Sequence, residues 1–175
     1  MKILVTGAKG FIGKNLVAAL KNHSYNDIYE FDIDTDVKLL DQYCFDCDFV
    51  FHLAGVNRPK NEEEFMQGNF GFTSILLDTL KKHNNKCPIM VSSSVQASLD
   101  NPYGLSKKAG EELIFEYGKK EDVKVLVYRF PNVYGKWCKP NYNSAIATFC
   151  NNIANDLIKD GIQKIEEEKF ISYSE

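Results

Sequence analysis

An α/β fold on a doubly wound parallel sheet, with helices in layers on both faces, is predicted for this chain by two observations. Short, continuously apolar runs recur along the sequence between stretches of helical periodicity, the pattern of strands buried on both faces and joined by crossover helices. Each of these runs also ends in small or polar residues. Ligands of such sheets bind beyond the carboxyl ends of the strands, so these endings predict one crevice.

The first run, Lys2-Ile3-Leu4-Val5, leads into Thr6-Gly7-Ala8-Lys9-Gly10-Phe11-Ile12-Gly13, and Leu16, Val17 and Leu20 continue it as a helix. In this strand, turn and helix, Gly7 permits the tight turn and Gly10 lets backbone amides approach a pyrophosphate. Gly13 lets the helix pack closely on the strand. The helix amino terminus then offers N–H groups and a partial positive charge to the phosphates. The spacing Gly-x-x-Gly-x-x-Gly departs from Gly-x-Gly-x-x-Gly, so it supports a phosphate loop without naming the ligand.

The second run, Ile28-Tyr29-Glu30-Phe31, ends at Asp32. An acid at this place would accept hydrogen bonds from an adenosine ribose and repel a 2′-phosphate, which favours NAD over NADP. Asp34 and Asp36 compete for the role, and an aspartate after a strand is also ordinary turn chemistry.

The third run, Phe49-Val50-Phe51-His52-Leu53, ends in Ala54-Gly55; the fourth, Ile89-Met90-Val91, ends in Ser92-Ser93-Ser94. The fifth, Val125-Leu126-Val127-Tyr128, ends in Arg129-Phe130-Pro131-Asn132. Helices are predicted at about 62–82, 105–119 and 143–157, with Asn69 in the first and Tyr103 and Lys107 opening the second. Four residues apart on a helix, Tyr103 and Lys107 share one face. An ammonium beside a phenol lowers the cost of the phenolate, bringing it nearer neutral pH than its free value of about 10. Such a pair can move a proton on or off a sugar hydroxyl or ketone. Tyr-x-x-x-Lys taken alone is equally a solvated surface pair.

At 175 residues and 44% hydrophobic, the chain can bury one sizeable core, and its net charge of -3 argues against nucleic acid as a partner. No apolar run of about 18 residues indicates a membrane span, and the amino terminus enters a strand without a signal peptide, so a cytoplasmic protein is expected. Five cysteines, Cys44, Cys47, Cys87, Cys138 and Cys150, read as reduced structural thiols. His52 reads as a hydrogen-bonded core residue; none of the histidines is assigned to a metal. Phe65, Phe70 and Phe72 read as core, and Glu166-Glu167-Glu168 as a solvated face.

Together, Gly7-x-x-Gly10-x-x-Gly13, His52-Leu53-Ala54-Gly55, Asn69 with Gly71, Ser92-Ser93-Ser94, Tyr103-x-x-x-Lys107 and Arg129-Phe130-Pro131-Asn132-Val133-Tyr134-Gly135 resemble the extended short-chain dehydrogenases/reductases, an NAD-dependent epimerase/dehydratase family. More narrowly, His52 to Pro59, Asp100 to Gly104 and Gly135 to Ser144 resemble the reductase domain of the CapF-like capsular polysaccharide assembling proteins. The likeness runs from Met1 to about Ala154, which implies an NAD(P)-binding Rossmann domain over 1–155 and a divergent tail over 156–175.

The resemblance implies reduction of a 4-keto UDP-N-acetyl-deoxyhexosamine for surface polysaccharide, with NADP or NAD as cofactor. Family members carry a zinc-binding cupin domain that has no room here, and the later part of the reductase domain is also missing, so a truncated chain with an incomplete substrate site is expected. By the same resemblance, Tyr103 is the acid that protonates the carbonyl oxygen, and Lys107 biases it and holds the nicotinamide ribose. Ser94 hydrogen-bonds the same oxygen, with Ser93 as the alternative. Gly7, Gly10, Phe11, Ile12, Gly13, Asp32, Leu53, Ala54, Gly55, Asn69, Ser92 and Pro131 line the cofactor. Asn132, Arg58, Asn141 and Asn143 meet the UDP-sugar, ordinary loop capping being the competing reading for the last three. CapF-like proteins favour NADPH, against the reading of Asp32. A homodimer through the two helices at 62–82 and 105–119 is a further family-level expectation. A 4-epimerase would use the same Tyr and Lys. A dehydratase is disfavoured because Val95-Gln96-Ala97 follows Ser94 where an acidic pair is usual. A dinucleotide-binding domain without activity stays open.

Overall fold

A computed structural model describes residues 1–155 and Leu157. The tail beyond, with its Glu166-Glu167-Glu168 run, lies outside the described residues. The chain divides into two compact units, Met1–Pro131 and Asn132–Glu175. In the first, five parallel strands, β1 (Ile3–Thr6), β2 (Ile28–Phe31), β3 (Phe49–His52), β4 (Ile89–Ser94) and β5 (Val125–Phe130), form one sheet in the order β2-β1-β3-β4-β5. The chain moves one way from β1 to β2, then crosses back to place β3 on the other side of β1. This reversal opens a crevice at the carboxyl ends of β1 and β3, the expected place for a ligand.

The helices of this unit are α1 (Phe11–Asn22), α2 (Val37–Asp46), α3 (Glu63–Phe65), α4 (Phe72–Lys82) and α5 (Pro102–Glu121); a π-helical segment, Met66–Gly71, joins α3 to α4. Alternation along the strands sends Leu4, Val50, Ile89 and Val91 to one face, against Leu40 and Cys44 of α2, Leu76, Leu77 and Leu80 of α4, and Ile114 and Tyr117 of α5. Ile3 and Val5 face the other way, against Val17, Leu16 and Leu20 of α1. The result is the expected three-layer doubly wound fold. Residues 37–46, which sequence periodicity had not singled out, form α2, opened by Asp36, whose side chain accepts the Lys38 N–H. The second unit contains α6 (Ala145–Ala154), capped by Ser144.

His52, 2% exposed, is a satisfied core residue, as expected. The Thr73 hydroxyl donates to the Asn69 carbonyl at 2.6 Å, so it accepts from His52 Nε2–H at 2.9 Å. His52 Nδ1 is then bare and accepts from Thr6 at 2.7 Å. Burial, with the Lys107 charge adding to it, pushes the imidazole down to about 3. The unfolded chain binds a proton here below about pH 6.5 and the folded chain does not. Stability is therefore expected to fall as pH drops from about 6.5 towards 3, and His52→Gln should flatten that slope in urea titrations at stepped pH. The three buried thiols, Cys44, Cys47 and Cys87, are free, with Cys47 and Cys87 sulfurs 3.7 Å apart.

Candidate active site

The glycine loop is built as its sequence requires. Gly7 adopts φ 70°, and a side chain there would meet the Ala54 nitrogen at 2.7 Å, so β1 and the end of β3 approach to a distance that only glycine allows. Gly10 donates to the Gly7 carbonyl at 3.1 Å and forms the amino cap of α1. That helix has neither a side-chain cap nor an acidic residue in its first turn, so no side chain at its amino terminus competes with an anion for the first amides.

Beyond the loop lies a cavity of about 440 Å³, lined by Gly7, Gly10, Asp32, Leu53, Ala54 and Gly55, all singled out in the sequence. Phe31, Ile33, Val56, Gly68 and Phe72 complete the wall and were not anticipated. Ile33 carried a signal in the sequence, a large apolar residue between Asp32 and Asp34, and the structure leaves it 99% exposed. The three competing aspartates are separated by their partners. Asp32 borders the cavity and accepts the Lys9 N–H at 2.7 Å and the Ile33 N–H at 2.8 Å. Asp34 pairs with the Lys9 ammonium at 2.5 Å, and Asp36 caps α2.

Gly55 connects this cavity to Lys107. A side chain on Gly55 would stand 2.7 Å from Asn69 Oδ1 and 3.3 Å from Lys107 Nζ. Asn69, 5% exposed in the π segment, accepts the Val56 N–H at 3.0 Å and donates to the Val56 carbonyl at 2.9 Å and to Ser106 at 3.0 Å. Ser106 in turn donates to the Tyr103 carbonyl at 2.7 Å. The widened helical turn thus lets one amide side chain tie the β3 loop to the helix carrying Tyr103.

That helix, α5, begins earlier than its periodicity suggested. Asn101 accepts the Gly104 N–H at 2.7 Å and Pro102 takes the first helical position, so Tyr103 and Lys107 lie in its opening turns. The serine run extends β4 rather than following it, and each serine has a different partner. Ser92 donates to the His52 carbonyl at 3.3 Å, Ser93 donates to Glu111, and Ser94 accepts the Gln96 N–H at 3.2 Å, with the Tyr103 hydroxyl beside it. Burial raises the Tyr103 hydroxyl above its ordinary value and the neighbouring Ser94 draws it back. The phenol is therefore not lowered as the sequence suggested, because the Lys107 ammonium points to the Ser92 carbonyl, 2.9 Å away. Burial also pushes Lys107 down to about 8, against the pull of Glu111.

Arg58 is exposed in the loop after β3, and Pro131 is exposed at the end of the first unit. Asn132, Asn141 and Asn143 belong to the second unit, where the Asn141 amide donates to Thr148 at 2.8 Å. No helix among the described residues is long and apolar enough to cross a membrane.

Residues 3–166 match the model of the NAD dependent epimerase/dehydratase family. The chain is 46% identical to a UDP-2-acetamido-2,6-beta-L-arabino-hexul-4-ose reductase of Pseudomonas aeruginosa over 157 residues, 90% of this chain and 42% of that protein. The crystal structure of the capsular polysaccharide assembling protein CapF from Staphylococcus aureus superposes with a TM-score of 0.79 at 49% identity, over 89% of this chain and 42% of that one. RMD from Pseudomonas aeruginosa, complexed with NADPH, superposes with a TM-score of 0.71 at 27% identity, over 89% and 61%. The chain thus spans about two fifths of the length of the first two relatives. It belongs to the NAD dependent epimerase/dehydratase family.

Proposed function

We propose that this chain is the dinucleotide-binding and catalytic part of an NAD(P)-dependent reductase of 4-keto UDP-N-acetyl-deoxyhexosamines, serving surface polysaccharide synthesis. One observation carries the reading: Lys107, one helical turn from Tyr103 and its neighbour Ser94, stands next to Gly55, a wall of the cavity that the glycine loop and Asp32 also line. The likeness to the hexulose reductase and to CapF supports the sugar class.

The residues present fit a nicotinamide dinucleotide. The open amino terminus of α1 suits its pyrophosphate, Asp32 a ribose hydroxyl, and Ile33 with Phe31 an adenine. When bound, the cofactor supplies a hydride to the carbonyl carbon. Tyr103, kept protonated by its burial, gives its proton to the carbonyl oxygen, so the ketone becomes an alcohol. Ser94 donates a second hydrogen bond to that oxygen. Lys107, cationic below about pH 8, orients the nicotinamide ribose and favours the phenolate left behind.

The test is turnover of a 4-keto UDP-sugar by the purified chain, followed through dinucleotide absorbance. Turnover should decline as pH rises through about 8, where Lys107 loses its proton. A folded chain that binds dinucleotide yet turns over no keto-sugar would overturn the catalytic reading. A homodimer through α4 and α5 belongs to the same proposal, supported by the exposed Ile75, Leu105 and Phe115 on these helices. Light scattering should give twice the 19.9 kDa chain mass, and a monomer at micromolar concentration would contradict it.

A further inference from the structure

Tyr103, Lys107 and Glu111 follow one another at four-residue intervals along α5, and so occupy one stripe of the helix. The third member of the stripe has no part in the chemistry above. Glu111 is nonetheless only 4% exposed, a position where a carboxylate is rare without strong partners. Its carboxylate accepts Arg129 Nε at 2.9 Å and 3.2 Å and Arg129 Nη2 at 2.6 Å, and also accepts the Ser93 hydroxyl. The guanidinium reaches on to Ser98 at 3.2 Å. One buried carboxylate therefore holds α5 to β4, at Ser93, and to β5, at Arg129.

A small cavity beside it is bounded by His52, Asn69, Thr73, Ser92, Lys107 and Glu111, so Lys107 and Glu111 line the same small space. We propose that Glu111 is a positioning residue for Lys107: fixed by Arg129 and Ser93, it supplies the counter-charge that keeps the lysine cationic against the Ser92 carbonyl. The purely structural alternative is a clamp that would work equally well with any buried group of the right shape. Geometry favours the charged role, because Glu111 stands one helical turn from Lys107. The other groups that bear on the ammonium cannot supply a negative charge at neutral pH. His52, from β3, is neutral; Tyr103, from α5, is protonated; Arg129, from β5, is cationic and lies behind Glu111. Burial pushes the Glu111 carboxyl up, but the bonds from Arg129 and Ser93 more than reverse this and leave it below its ordinary value. It is thus ionised wherever the lysine matters.

The proposal rests on the reading that Lys107 acts as a cation in the site, but its test needs neither dinucleotide nor sugar. The side-chain resonance of Lys107 is titrated by NMR in the full chain, with assignment by its loss in Lys107→Met. Glu111→Gln keeps the shape and removes the charge, and it should lower the Lys107 midpoint from about 8 by about one pH unit or more. Glu111→Asp shortens the side chain but keeps the charge, and its midpoint should stay nearer that of the unaltered chain than the midpoint of Glu111→Gln does. A clamp that needs only shape would cost stability in both variants and leave both midpoints unmoved. An unchanged midpoint in Glu111→Gln, or an equal fall in both variants, would overturn the proposal. If Glu111→Gln does not fold, the double variant Glu111→Gln/Arg129→Gln, which leaves neither charge of the pair unpartnered, should still show the lowered midpoint, and an unchanged midpoint there would overturn the proposal as well.

Discussion

Tyr103→Phe is expected to lower turnover of a 4-keto UDP-sugar by roughly a hundredfold or more, with dinucleotide affinity almost unchanged. The substitution removes one hydroxyl and keeps the ring, whose centroid packs 5.6 Å from that of Phe65. The helix start is unaffected, because it depends on Asn101 and Pro102, and the Ser106 bond goes to the Tyr103 backbone. What is lost is the proposed proton donor, the hydroxyl beside Ser94. The loss should therefore appear in kcat, since in the proposed role the hydroxyl acts on the carbonyl oxygen as charge develops there. Turnover equal to that of the unaltered chain would remove Tyr103 from the chemistry. A loss confined to KM would make it a binding residue instead.

Gly13→Ala is expected to be the most damaging single methyl group that the first unit could receive. A side chain at this buried position would stand 2.1 Å from the Gly7 carbonyl oxygen and 2.8 Å from two backbone atoms of Ala8. All three are main-chain atoms in a loop held by β1, so no side chain can turn away to make room. Either α1 tilts off the sheet or the loop opens, and both remove the amides that face a pyrophosphate. We expect a loss of at least about 3 kcal/mol of stability and of measurable dinucleotide binding together. Thermal unfolding followed by circular dichroism should show a fall in Tm of roughly 6 to 12 °C. A variant with unaltered Tm and affinity would mean that helix and loop are not packed as described.

Much of this arrangement could be read in the sequence because it is written in local pattern. β2 occupies the four residues expected of it, and the glycine loop follows β1 directly, since apolar runs and tight turns are decided within a few residues. Where a cap competed with periodicity, the cap decided the boundary. Asn101-Pro102 starts α5 three residues before its apolar pattern does, and Asp36 starts α2, whose Leu40 and Cys44 form too short a stripe to stand out. The helix at 62–82 was visible, but its π-helical turn was not, because no local rule separates that turn from a regular helix. The turn is stabilised by what Asn69 reaches in Val56 and Ser106, and such contacts form only once the chain is folded. The partners of the three serines and the pairing of Glu111 with Arg129 were hidden for the same reason. They depend on register between α5, β4 and β5, while the sequence shows only a run of serines and charges 18 residues apart.

The central claim is that the cavity beside Gly7, Asp32 and Gly55 holds a nicotinamide dinucleotide against Tyr103 and Lys107. Calorimetric titration of the purified chain with NADPH and, separately, NADH tests it without any assumption about the sugar. Saturable binding of at least one of them at one site per chain, abolished by Gly13→Ala, is the expected result. A chain that is folded by circular dichroism yet binds neither would contradict the account.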